Sequence, residues 1–256
     1  MASQSPLKAK PLRLPGESLD IEIESLVTDT AMGYVLAAMM FCFLAGMEWL
    51  AVLTRAPRRP VLFSVMAVAA VAVSTWRFII IRKRVRQLRQ GRDGERCVGQ
   101  FLERLRESGA QVFHDIPGGS FNLDHVVISA HGIYAIETKT YSKPWPQATV
   151  SVNGDALLVA GRALDRNPVL QVAAAARWLE GLIEQSTGKQ FKVRGVVVFP
   201  GWYVEQRSPR GDVWVLEPKA LPAFIEQERA QSAPADVSLA AYHLSRYVRT
   251  EIENAT

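Results

Sequence analysis

Two long apolar runs before residue 82 constrain this chain more than any other feature. Residues 31–53, AMGYVLAAMMFCFLAGMEWLAVL, carry one charge in 23 positions. A helix needs roughly 20 predominantly apolar residues to cross a bilayer. The exception, Glu48, lies near the end of the run beside Trp49, which suits an interfacial position. Residues 61–76 carry no charge, and RFIII extends this second run to Ile81. Arg77 can snorkel to the headgroups. Neither run shows the polar stripe of a soluble surface helix. With the short connection TRAPRRP between them, the runs predict a transmembrane helical hairpin over 31–81.

The flanks set its orientation. Residues 1–30 are polar, with prolines at 6, 11 and 15, and read as a disordered tail. Their basic residues Lys8, Lys10 and Arg13 precede an acidic stretch, Glu17 to Asp29, rather than an apolar core, which excludes a secretory signal. The exit from the second run, RKRVRQLRQGR at 82–92, holds six basic residues and no acid, and reads as a juxtamembrane linker. Two spans put both termini on one side, and that side carries nine basic residues against three in the loop. The expectation is a protein of the cell (inner) membrane with both termini cytoplasmic. Contact with anionic lipid headgroups of the bilayer is the plainest use of the basic segment. Small residues in the first run (Gly33, Ala37, Ala38, Ala45, Gly46) allow close packing within one chain or in a homo-oligomer.

Composition excludes several classes. The net charge of +5 is mild and does not by itself point to nucleic acid. Cys42 lies in an apolar run and Cys97 beyond it, so a disulfide framework is not expected. No Cys/His cluster has zinc-ligand spacing.

From residue 93 the pattern becomes that of a soluble α/β domain, expected over 93–218. A helix over 93–109 has Asp93 as cap, Gly109 as stop and an apolar stripe at Val98, Phe101, Leu102 and Leu105. AQVFHDI, LDHVVIS and IYAIETKT read as three strands joined by the turns PGGS and AHG. Asn153-Gly154 marks a further hairpin. Asn167 and Pro168 open a long helix. KVRGVVVFP reads as a buried strand and VWVLEP as another, and two polar-rich helices, 221–229 and 238–253, finish the chain within 219–256.

Charges on the third strand carry the chemistry. Glu137 and Lys139 are two apart and share a face of an otherwise apolar strand. Asp124 opens the preceding strand, and Glu95 sits on the inward edge of the first helix's stripe. Convergent carboxylates make an oxygen site for a hard cation such as Mg²⁺, which polarises a phosphate. A neighbouring lysine orients the attacking water. From spacing alone, solvated strand ends explain the same residues equally well.

The segments GERCVGQFL, HDI, LDHVVIS, GIYAIETKT, NPVLQ and GVVVFP occur in one order over about 91–200. In that order they resemble the nuclease-related domain (NERD) family of the PD-(D/E)xK, restriction-endonuclease-like superfamily. The resemblance implies an α/β core of helix, three-strand meander, helix and strand, here preceded by two transmembrane helices. It implies Asp124 and Glu137 as metal-binding acids for Mg²⁺ or Mn²⁺, with Glu95 supporting the metal or a bound water. It implies Lys139 as the lysine that assists the nucleophilic water, and Gln171 as a helical glutamine near the site. Asn167 and Gln171 also suit a helix cap and a solvated first turn. The expectation is a membrane-anchored nuclease acting on DNA, ahead of RNA, and leaving a 5′-phosphate. The alternative is a catalytically silent membrane protein that uses the fold to bind nucleic acid or a protein partner. His125 points away from Asp124's face, while His114, His131, Trp145 and Trp202 read as turn or packing residues.

Overall fold

The structure, a computed structural model, describes residues 12–52, 59–154, 156–206 and 211–254. They fall into two compact units, residues 18–90 and residues 91–254 together with 12–17.

In the first unit, α1 (Glu17–Ser25) runs through a π-helical turn (Leu26–Ala31) into α2 (Met32–Val52). Helix α3 begins at Pro60. Trp49 Nε1 donates to Ser64 Oγ at 2.9 Å and Ser74 Oγ to the Tyr34 carbonyl at 2.9 Å, which pairs α2 with α3 antiparallel. Glu48 accepts the Arg59 N–H at 3.2 Å near the connection, most of which lies outside the described residues. Phe43, Val61 and Val68 each expose about two-thirds of their surface. Apolar residues therefore face outward on two helices that are long and apolar enough to cross a membrane.

Two expectations are corrected here. Of the tail expected to be disordered, residues 1–11 lie outside the described residues, but the chain is helical from Glu17 onward. Leu19, Ile23 and Leu26 recur at helical spacing and pack against Ile81, Val85 and Leu88, and that apolar contact offsets the entropy of ordering. The helix expected to start at Asp93 has no separate start, because α3 runs unbroken from Pro60 to Glu103. Residues 82–92 are mostly Arg, Gln and Leu, good helix formers with no proline, and the apolar spacing of Ile81, Val85 and Leu88 keeps the helical rhythm. Asp93 is mid-helix and pairs with Arg92.

The second unit is a mixed α/β domain. Its main sheet has the order β1-β2-β3-β7-β9. Strands β1 (Gln111–Pro117), β2 (Asn122–Ser129) and β3 (Gly132–Thr138) form the expected antiparallel meander. Strands β7 (Val193–Val198) and β9 (Trp214–Leu216) add in parallel beside β3. A second sheet, β6-β5-β4-β8, holds the expected hairpin of β4 (Thr149–Asn153) and β5 (Ala156–Val159). It also holds β6 (Arg162–Ala163) and β8 (Tyr203–Gln206), which the sequence pattern did not show. Helix α4 (Pro168–Thr187) is capped by Asn167, whose Oδ1 accepts the Val169 N–H at 2.9 Å, with Pro168 in the first turn.

The two faces of the main sheet bury different helices. Val126, Ile128, Ile133 and Ala135 pack against α4 and the last helix, α6 (Pro234–Asn254). Val127, Tyr134 and Ile136 pack against Val98, Leu102 and Leu105 and against α5 (Leu221–Gln227). Alternation on β3 thus sends odd positions toward α4 and even ones toward α3.

Helix α3 reaches the end of β3 because Gly94 lets it. A Cβ on Gly94 would overlap the Thr140 hydroxyl. Gly94→Ala gains about 1 kcal/mol of helix propensity, but overpacking costs about 1–3 kcal/mol. The expected net result is a lower midpoint in thermal unfolding of the detergent-solubilised chain; an unchanged or higher midpoint would refute this packing.

Candidate active site

The site lies where β3 leaves the sheet. Glu137 points to the α4 face and is 7% exposed. A carboxylate there is tolerable only with partners, and it has two. Lys139 Nζ lies 2.6 Å from Glu137 Oε1, and Gln171 Nε2 donates to the same oxygen at 2.8 Å. Gln171 Oε1 accepts from Lys139 Nζ at 3.2 Å, which closes a triangle. Gln171 is therefore a member of this constellation, while Asn167 is the cap. The Lys139 N–H donates to the Val198 carbonyl at 2.9 Å, so pairing with β7 fixes the strand beyond its last regular residue.

Asp124 comes from β2. Its neighbour His125 pairs with Ile136, so one further step sets Asp124 opposite Glu137. Asp124 Oδ2 accepts the Thr138 N–H at 2.6 Å. Glu95, 8% exposed, reaches the cluster from α3 and accepts the Gly16 N–H.

Electrostatics follow from burial and crowding. Burial raises Glu95 to about 8, with help from the charges of Asp115 and Glu137. Burial also holds Asp124 well above the ordinary carboxyl range, reinforced by Glu137 and Glu95. Burial alone would lower Lys139, but Glu137 and then Asp124 outweigh it, and the ammonium is held above its ordinary value.

Sequence reasoning missed Asp115, Arg13 and Gly16. Asp115 is 1% exposed and has a positive φ of 50°, and the unchanged register on either side sets it opposite Asp124, with the β1–β2 pairing interrupted at that one position. Its carboxylate accepts from Arg13 Nη1 at 2.9 Å and from Asn122 Nδ2 at 3.1 Å. Arg13 arrives on a strap, residues 12–16, whose Pro15 lies against Gly99 of α3. The motif HDI contains Asp115, but its partner Arg13 lies about a hundred residues earlier and leaves no local mark. The histidines stand apart from the site. His114 and His125 share a 2.8 Å contact between their Nδ1 atoms and are both held below the ordinary histidine value by burial. His131 Nδ1 lies 2.6 Å from the Glu228 carbonyl.

Among the described residues, no group of three or more His, Cys, Asp or Glu side chains is gathered to hold a metal ion. The carboxylates of Glu95, Asp124 and Glu137 are close enough to raise one another's pKa values without forming a ready three-ligand set. Mg²⁺ needs no such set, because one or two carboxylates, waters and substrate phosphates complete its octahedron. Asp124 and Glu137, on adjacent strands one step beyond the His125–Ile136 pair, suit that requirement.

A mixed sheet bearing clustered acids and a lysine at a strand end resembles the arrangement that the sequence motifs imply. Residues 90–200 match the family model described as the nuclease-related domain. The match ends just after β7, so α6, β9 and the strap belong to the same compact unit but lie outside it. No curated protein and no solved structure matches the chain.

The raised pKa of Glu95 has a consequence for stability. The native state binds this proton more tightly than the unfolded chain, whose carboxyl titrates near 4.5. The contribution is whole below pH 4.5, declines as the pH rises, and is lost above about 8. Between those limits, in EDTA, the unfolding free energy of the native chain should fall with pH more steeply than that of Glu95→Gln. The difference is up to one proton's worth of slope; parallel slopes in chemical denaturation would show that Glu95 is not raised.

Proposed function

We propose that this chain is a membrane-anchored, Mg²⁺-dependent nuclease that hydrolyses phosphodiester bonds of DNA, ahead of RNA. The observation that carries this reading is the meeting of Glu95, Asp124, Glu137 and Lys139, from three separate elements, at the end of β3. The match to the nuclease-related domain supports it.

Asp124 and Glu137 would hold the cation, Mg²⁺ or Mn²⁺, with Glu95 behind them. Bound there, it supplies charge that polarises the phosphate and steadies the developing oxyanion. Lys139 is an ammonium, with three donors and no acceptor. It therefore orients the attacking water and favours its hydroxide form, and does not itself take the proton. Gln171 keeps Lys139 and Glu137 in register from the first turn of α4.

The decisive experiment uses the full chain in detergent, since the strap that meets Glu95 and Asp115 precedes the hairpin. Plasmid and single-stranded DNA are incubated with Mg²⁺ or Mn²⁺. Cleavage should fall at least 100-fold in Glu137→Ala and Lys139→Ala, in line with loss of a positioned electrostatic group. Metal-dependent cleavage no faster than that of Glu137→Ala would overturn the reading. A second reading, binding without cleavage, is favoured by the absence of a ready three-ligand set. It predicts nucleic-acid affinity unchanged by either substitution and no loss of Mn²⁺ binding, by calorimetry, when Asp124 and Glu137 are removed.

We place the domain on the cytoplasmic face of the cell membrane. The six basic residues at 82–92 support this orientation. A C-terminal green fluorescent protein fusion should fluoresce and the matching alkaline phosphatase fusion should be inactive; the reverse pattern would invert the topology.

A further inference from the structure

Beside the catalytic constellation lies a cleft of about 490 Å³, lined by Lys139, Tyr141, Leu164, Asp165, Arg166 and Gln171. Its volume falls within the range of ligand sites. One wall is the segment 163–166 at the end of β6, whose sheet packs through Val150, Leu157 and Val159 onto Val172, Val197 and Phe199; the other is Lys139 and Tyr141, just beyond β3.

Tyr141 is the distinctive residue of this wall. It stands two residues beyond Lys139 and is 38% exposed. Phe199, itself fully buried, lies behind its ring with centroids 6.3 Å apart and planes 21° apart. That is an offset stack, which holds the ring in a fixed plane. The backbone is fixed as well, because buried Trp202 donates its Nε1–H to the Tyr141 carbonyl at 3.1 Å. One ring face is thus backed by protein while part of the residue stays open beside the lysine. Charge around it suits a polyanion: Lys139 and Arg166 line the cleft, and Lys143 lies over the Trp202 ring at 5.5 Å. Asp165 is the one acidic residue among the lining.

We propose that Tyr141 is a base-stacking platform and that the cleft takes single-stranded nucleic acid, or an unpaired end, rather than continuous duplex. This rests on the nucleic-acid reading of the site. Inside a duplex both faces of each base are covered by neighbours. A base can meet the Tyr141 ring only after leaving the stack, which costs a few kcal/mol in a paired strand and little in a single one. Stacking on a ring is tolerant of base identity, so the cleft selects strand state rather than sequence. Lys139 and Arg166 meet the backbone on either substrate.

The test is fluorescence anisotropy on the full chain in detergent, with EDTA present so that cleavage plays no part. The probes are a labelled oligothymidine and a blunt-ended duplex of two fully complementary strands. The wild type should bind the single strand more tightly. Tyr141→Ala and Tyr141→Leu should weaken single-strand binding roughly tenfold, within the range of one base–aromatic stack. They should leave duplex binding within about twofold. Leucine keeps Phe199 covered, and Tyr141→Phe should bind like the wild type, so misfolding cannot mimic the result. Equal loss on both probes, no loss on either, or no oligonucleotide binding by the wild type overturns the proposal. A chain that binds in this pattern yet never cleaves would leave the platform standing and remove only the nuclease reading.

Discussion

The burial of Glu137 beside Lys139 is the constraint around which the second unit is arranged. A carboxylate 7% exposed at the end of a central strand would destabilise the fold if unpaired. Breaking such a pair by removing one partner costs about 3–5 kcal/mol. Three elements therefore converge on that one strand end. Lys139 comes from the same strand, Gln171 from the first turn of α4, and the Thr138 N–H ties Asp124 of β2 alongside. The parallel partner β7 continues the support, since the Val198 carbonyl accepts from the Lys139 N–H. Beside this strand end, Glu95 and Asp124 are held above the ordinary carboxyl range, by burial first and by neighbouring carboxylates second.

A second buried ion pair closes the cluster from behind. Asp115 sits at 1% exposure with a positive φ, and Arg13 reaches it from a segment more than a hundred residues away in sequence. The same strap gives the Gly16 N–H to Glu95. The approach is close because Gly99 carries no side chain under Pro15. Residues that precede the hairpin thus help to position an acid that follows it. The acidic environment of Glu95 is a property of the whole unit rather than of residues 90–200 alone.

Legibility of the fold followed the range of the interactions concerned. The meander was readable because alternation on β2 and β3 and the turns between them are local signals. The cap at Asn167 was readable for the same reason. Strands β6 and β8 were not: β6 is only two residues long, too short to show alternation, and β8 gains its pairing from β4 at a distance. The unbroken course of α3 was misread because Asp93 and Gly94 look like a helix start in isolation. Gly94 is there for the close approach of Thr140, a reason that only packing reveals.

The sequence by itself determined the two apolar runs, the three-strand meander with the long helix and strand that follow it, and the residue types at Glu95, Asp124, Glu137 and Lys139. Those features rest on composition and on periods of 2 and 3.6, which are local. Tertiary structure decided that Gln171 closes on Glu137, that Asp115 and Arg13 stand behind Glu95, and that Phe199 turns Tyr141 into a backed ring facing the cleft. Each of these joins residues from different elements, and no local pattern encodes a contact that exists only once the sheet has closed on its helices.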